Sequence, residues 1–357
     1  METEKEKIFY NALNIVLDSN YAKLSSLREK FPSWEKAFFS LPEEKKKEIE
    51  PEKEWEEAKK EKIEMIFKED ALYPNFLLEI PFTPLAIYYK GKLPENCEEF
   101  GDKKNNKNTA IVGTRKATYE GKKAAKEFAR ELAKRGVSII SGLALGIDEA
   151  AHSGALEAGG KTFAVLANGL SSVYPRQNYN LAEVIIKKGG ALISEYPPKA
   201  PPLSYRFLER NRIISGLSSA ILMIEAPERS GALATARFAL EQNRDIYVVP
   251  GPITHINFKG SHKLLREGAR IVSSLEELLE DLGLAEETFS VENKVIAQIK
   301  NETQKKILEI IKEKTAAVSI DEIINAVKLT AQEVNQELAF LEAEGIIAEE
   351  GGKYRIS

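Results

Sequence analysis

Thr109-Ala-Ile-Val-Gly113, followed at once by Thr114-Arg115, decides how this chain is read. It is a short apolar run closed by a glycine, and a helix-compatible stretch, Tyr119–Arg135, comes after it. A second run, Val137-Ser-Ile-Ile-Ser-Gly142, then enters another glycine-bearing turn, Gly142-Leu-Ala-Leu-Gly146. Strand, tight turn, helix and strand make the first βαβ unit of a doubly wound sheet. The turn after the first strand presents backbone N–H groups at a helix start, where an anion is favoured. Arg115 adds a planar fork that suits phosphate oxygens.

Downstream the pattern continues. Thr162–Leu166, Ala191–Ser194, Ala220–Glu225, Asp245–Val249 and Arg270–Val272 read as strands, with helical patterns at Asn180–Lys188, Glu209–Leu217 and Gly231–Gln242 between them. The strands are near-continuous apolar runs, as a parallel sheet covered on both faces requires. Upstream, residues 1–70 read as helices, with Ile8, Ala12, Ile15 and Val16 on one face and Leu24, Leu27 and Phe31 extending the pattern. Leu85–Gly91 is an extended run and Gly101–Asn108 a polar turn. After Gly283 the pattern weakens. Residues 303–357 then form a compact unit: a helix over Gln304–Lys312, a capping-box-like Ser319-Ile-Asp-Glu, a second helix at Ile323–Val327, a third at Thr330–Gly345, and two short strands about Gly351-Gly352. Three helices and a hairpin describe a winged helix.

At 357 residues the chain predicts two or three domains. Its net charge of −4 is unevenly spread: Thr109–Leu275 carries 23 Lys+Arg against 14 Asp+Glu, so the centre is basic and the flanks acidic. That points to an anionic partner for the centre alone. A single cysteine, Cys97, excludes an internal disulfide framework. No run of ~18 apolar residues and no apolar segment near Met1 is found, so a cytoplasmic protein with no membrane contact is expected.

Arg115 is the sharpest candidate for chemistry. Ser141-Gly142 and Gly146-Ile-Asp148 form a second turn at the same sheet edge, with Asp148 read as a helix N-cap rather than an acid catalyst. Gly169–Tyr179 brings Tyr174, Arg176 and Asn178 to the same rim and reads equally well as a solvated turn. Arg206-Phe207-Leu-Glu-Arg210-Asn211-Arg212 interleaves arginines with an aromatic, as single-strand binders do, unless Phe207 belongs to the core. Ser230-Gly231 opens another helix with small residues that admit close approach. His152, His255 and His262 share no metal-ligand spacing, and no cofactor is expected.

These motifs, in this order, resemble the DNA processing protein A (DprA, or Smf) family. The resemblance rests on Gly113-Thr-Arg115, Ser141-Gly-Leu-Ala-Leu-Gly-Ile-Asp148 with Ala151-His152, Gly160–Val165, Tyr174-Pro175, Ser194-Glu-Tyr-Pro-Pro198, Arg210-Asn-Arg212, Ser230-Gly231 with Thr235-Ala236, and Pro250-Gly251. It implies an extended Rossmann-like core over 73–285, an N-terminal helical domain of SAM or helix-hairpin-helix type over 1–72, a linker over 286–302 and a winged helix over 303–357. It further implies a non-enzymatic, dimeric protein that binds single-stranded DNA, protects incoming strands in natural transformation and loads the recombinase RecA. Gly113, Thr114 and Arg115 would be its phosphate pocket, with Ser141, Gly142, Arg176, Phe207, Arg210, Asn211, Arg212, Ser230 and Gly231 along the DNA path. Two positions depart from the pattern: Thr114 keeps the hydroxyl of the usual serine, whereas Leu145 removes an arginine. The rival is a nucleotide-phosphate hydrolase with a Pro-Gly-Gly-x-Gly-Thr-x-x-Glu loop. Here Arg229–Phe238 places phenylalanine where that acid would stand.

Overall fold

The structure, a computed structural model, describes residues 2–95, 108–284, 301–313, 318–327, 329–343 and 346–356. The expected turn at 101–108 and linker at 286–302 thus lie outside the described residues, apart from 108 and 301–302. Residues 1–284 form one compact unit and 285–357 a second.

The first unit opens with helices α1 (Glu2–Val16), α2 (Tyr21–Lys30), α3 (Trp34–Phe39), α4 (Glu43–Lys46) and α5 (Pro51–Lys60). Strand β1 (Glu64–Phe67), helix α6 (Asn75–Leu78) and strand β2 (Ala86–Gly91) lead into the alternating part. That part runs β3 (Asn108–Val112), α7 (Tyr119–Lys134), β4 (Ser138–Ser141), α8 (Ile147–Glu157), β5 (Thr162–Val165), α9 (Tyr179–Lys187) and β6 (Ala191–Ser194). It ends with α10 (Ser204–Gly216), β7 (Ala220–Met223), α11 (Gly231–Glu241), β8 (Asp245–Val248), α12 (Lys259–Arg266), β9 (Arg270–Ile271) and α13 (Leu275–Asp281).

The strands make one nine-stranded sheet in the order β1-β2-β6-β5-β4-β3-β7-β8-β9. All pairings from β6 to β9 are parallel, and β1 and β2 are added antiparallel at one edge. The α/β expectation therefore holds. The all-helical reading of residues 1–70 does not: Glu64–Phe67 is a strand, paired Glu64↔Tyr89 through Phe67↔Ala86. A four-residue run is too short to show a period, and what makes it a strand is a partner some twenty residues away.

Side chains alternate across the sheet as the pleat demands. Ala110 and Val112 join the layer under α10, α11 and α12, while Ile111 joins the layer under α7, α8 and α13. The N-terminal helices share a third aromatic-rich cluster with β1, β2 and α9, in which Trp34, Trp55, Phe38 and Tyr88 are buried. α10 starts at Ser204, five residues before the periodicity predicts, because Arg206 and Arg210 occupy buried positions that hydropathy scores as surface.

The topology positions the site. The chain passes from β3 outward through β4, β5 and β6, then returns to add β7 on the other side of β3. β3 and β7 pair in register from Thr109↔Ala220 to Val112↔Met223. Their carboxyl ends form the topological switch point of the sheet, where open α/β sheets leave a crevice.

The second unit contains α14 (Glu302–Glu313), β10 (Val318–Ser319), α15 (Ile320–Val327), α16 (Ala331–Ala343), β11 (Ile347–Glu350) and β12 (Lys353–Ile356). The strands pair antiparallel in the order β10-β12-β11. Ile307, Ile311, Ile323, Val334, Leu338 and Leu341 fill its own core. Ser319 accepts from Glu322 N while the Glu322 carboxylate accepts from Ser319 N and Oγ, which makes Ser319 the cap of the expected capping box.

Candidate nucleic-acid interface

A cleft of about 590 Å³ opens at the switch point. Its floor is the loop after β3 (Gly113, Thr114, Arg115), one wall is α10 (Ser204, Phe207, Leu208, Arg210, Asn211), and the other is the turn from Pro227 to the start of α11. Gly113 has no alternative: a Cβ there would lie 2.6 Å from Ile147 Cγ1 and 2.9 Å from the Glu225 carbonyl.

Arg115 is exposed, and its guanidinium lies 4.8 Å from the Phe207 ring centroid. Tyr174, 43% exposed, meets the same ring at 5.6 Å and 62°. Phe207 is half-buried and lines the cleft, so it is neither a core residue nor a free one. A cation resting on an aromatic face keeps its N–H edge available to phosphate, and the aromatic pair offers a stacking platform.

Arg210 does a different task. It is 4% exposed, and its Nη1 donates to the carbonyls of Gly142 (3.0 Å) and Val165. Burial lowers it to about 10, opposed by the charge of Asp148, so it remains a cation at neutral pH. Burial raises the Asp148 carboxyl, opposed by Arg210 and by the amides of Gly142 (3.1 Å) and Ala144 (3.3 Å), which donate to Oδ2. Asp148 is therefore not the N-cap of α8. That position is Gly146, and Asp148, two residues on, reaches back to tie the preceding turn. Asn178 ties the same turn, donating to the carbonyls of Leu143 (2.9 Å) and Ala144 (3.4 Å).

The cleft gathers Gly113, Thr114, Arg115, Phe207, Arg210, Asn211, Ser230 and Gly231. Asn211 donates to Gly231 O at 3.0 Å, and the Ser230 hydroxyl caps α11 by accepting from Ala232 N at 3.2 Å. The remaining candidates lie elsewhere. Ser141 is buried and donates to Ile111 O at 2.7 Å, and the Gly142 amide is spent on Asp148. Arg212 is ion-paired with Glu195, whose carboxyl burial raises. Arg176 is exposed on the short turn Arg176–Asn178, outside the cleft lining. Sequence reasoning passed over Arg229, which is exposed in the cleft wall one residue before the Ser230 cap. Its position next to a small-residue helix start was the available signal. His152 is wholly buried, contacts Thr162 Oγ1 through Nδ1 at 2.7 Å and is held down to about 3 by burial and by Arg210, so it is neutral. Among the described residues no cluster of His, Cys, Asp and Glu could hold a metal ion.

A doubly wound sheet whose switch-point crevice carries exposed arginines and an edge-on aromatic pair defines a Rossmann-like protein with an arginine-lined cleft. The family model for DNA recombination-mediator protein A matches residues 64–283, more than half of the chain, starting at the first residue of β1. The chain belongs to that family. Over 218 residues it is 44% identical to protein Smf of Escherichia coli strain K12, an alignment covering 61% of this chain and 56% of that protein. The chain thus spans little more than half the length of this relative. The X-ray structure of DNA processing protein A from Streptococcus pneumoniae superposes with a TM-score of 0.57 at 33% identity, covering 70% of this chain and 81% of that one. DNA processing protein A from Helicobacter pylori, studied for its single-stranded DNA binding mode, gives 0.53 at 27% identity, covering 62% and 95%.

Proposed function

We propose that this chain binds single-stranded DNA in the switch-point cleft and serves DNA processing in recombination. The observation that carries the reading is the exposed Arg115 guanidinium resting on Phe207, beside the capped start of α11. Phosphates meet Arg115 and Arg229, and bases stack on Phe207 and Tyr174. Arg176 extends the basic rim. Arg210 and Arg212 act from within, holding the turn at Gly142 and the segment at Glu195.

The proposal extends to protection of incoming strands during natural transformation, loading of RecA, and a cytoplasmic location. Among the described residues no helix is long and apolar enough to cross a membrane. It also includes the division into domains at 1–72, 73–285, 286–302 and 303–357, the last a winged helix, supported by its three helices and small antiparallel sheet. A homodimer is supported by Ile253 and Ile256, 83% and 65% exposed after β8, and by Ile271, 56% exposed on the edge strand β9.

The protein is proposed to be no enzyme. Phe238 stands within α11 where a hydrolase would need its carboxylate, and the cleft's Asp148 is committed to backbone amides. Titration with single- and double-stranded oligonucleotides tests the binding reading, and preference for duplex would reject it. Incubation with nucleoside monophosphates tests the enzymatic rival, which requires release of free base.

A further inference from the structure

The loop that carries Arg115 is held from below by a buried carboxylate. Glu225, just past the end of β7, has no exposed surface. Its main-chain carbonyl accepts from Thr114 N at 2.8 Å. Its carboxylate accepts from Thr118 N (3.1 Å), from the Thr118 hydroxyl and from Asn257 Nδ2 (2.7 Å). Asn257 sits on the short turn Ile256–Phe258, 7% exposed, and its Nδ2 also donates to the Lys116 carbonyl at 3.0 Å. The two hydrogens of that amide are thus divided between Glu225 and the loop backbone. The Thr118 hydroxyl gives its single hydrogen to Glu225 and accepts from Gly121 N at 2.9 Å, capping α7. Position 121 has to be glycine, since a Cβ would lie 2.2 Å from Glu225 Oε1.

Residues 114, 116 and 118 are therefore each tied to Glu225 or Asn257, on both sides of Arg115; beyond these ties the Thr114 carbonyl accepts from Ile147 N at 3.4 Å, and the Thr114 hydroxyl accepts from Lys116 N at 3.2 Å within the loop. Neither residue lines the cleft. A buried carboxylate is retained at a desolvation cost that an apolar side chain would avoid. What it supplies here is a fixed backbone beneath an exposed cation. We propose that Glu225 and Asn257 are positioning residues for the nucleic-acid site: they hold residues 113–118 so that the Arg115 guanidinium stays on Phe207 with its donors toward the strand. This rests on the single-strand reading above.

The test is a fluorescent oligothymidylate titrated into full-length Asn257→Ala at several salt concentrations. Losing buried hydrogen bonds that fix the loop should weaken binding roughly tenfold. The slope of log K against log salt should shrink by about 0.7, as if one phosphate contact were gone. Added to Arg115→Ala, the same change should cost nothing more, because it acts through Arg115. Wild-type affinity and slope, or a full multiplicative loss on top of Arg115→Ala, would overturn the proposal. If Arg115→Ala alone binds normally, the nucleic-acid reading fails, and positioning is then read from amide hydrogen exchange over 113–121. Faster exchange in Asn257→Ala supports it, and unchanged exchange overturns it. Should Asn257→Ala not fold, Glu225→Gln, which keeps the volume and replaces one acceptor oxygen by a donor, is read in the same assays.

Discussion

The Arg115 guanidinium stands 4.8 Å from the ring centroid of Phe207, one residue from the loop after β3 and the other from α10. The loop over residues 113–118 holds no aromatic of its own, and α10, whose buried Arg210 also lies 6.0 Å from the same ring, supplies it. The switch point brings them together, and the pairing gives an exposed arginine a defined direction. Replacing Arg115 by alanine is expected to leave the melting temperature nearly unchanged, since the side chain is exposed and its removal opens no core cavity. Single-strand affinity should fall, which oligonucleotide titration beside a thermal melt would check.

Phe207→Ala removes the ring that touches both Arg115 and Tyr174. Base–aromatic stacking contributes ~1–3 kcal/mol, so affinity should drop roughly five- to hundredfold with a smaller effect on the salt slope than Arg115→Ala. The ring is only half-buried, so the fold should survive. Binding isotherms at two salt concentrations would check both statements.

His152 makes the fold sensitive to acid. Its folded value of about 3 lies below the ordinary 6.5, so the neutral form is favoured in the native state. A depressed value contributes stability that is present above pH 6.5 and lost as pH falls toward 3. Unfolding titrations should show stability declining over that window by up to about 1.4 kcal/mol per pH unit from this group. The His152→Gln variant should show a shallower decline.

The exposed isoleucines after β8 predict self-association. Light scattering of the wild type at micromolar concentration should give a dimer mass, and Ile253→Asp with Ile256→Asp should shift it toward monomer. A monomer mass for the wild type would remove the dimer from the account.

The second unit is expected to contribute little to nucleic-acid affinity. α16 contains Glu333, Glu337 and Glu342 and no lysine or arginine, so a duplex groove would be met by like charge. Val334, Leu338 and Leu341 are core and cannot compensate. Removing residues 300–357 should leave single-strand affinity within about threefold, whereas tight duplex binding by the isolated unit would contradict this.

Much of the core was legible in the chain because parallel strands buried on both faces are continuous apolar runs, and Thr109–Gly113 shows one ending at a glycine turn. The cleft was legible in its loops, since Gly113-Thr-Arg115 follows a strand directly and Ser230-Gly231 opens the helix after β7. The arginines on α10 were harder. Arg206, Arg210 and Arg212 look alike in sequence, yet Arg206 pairs with Asp18 at 2.6 Å, Arg210 with backbone carbonyls and Arg212 with Glu195. Which partner a long cation finds depends on segments far away in the chain, and no local pattern records it. β1 was missed for the same reason, as was the tie from Asn257 to Lys116.

The central claim is that Arg115 meets phosphate in a single-strand cleft. It is tested most directly by measuring log K for an oligothymidylate against log salt for the wild type and Arg115→Ala. The account predicts tighter binding to single strand than to duplex, and a slope smaller by about 0.7 in the variant. Equal slopes with equal affinities would contradict it.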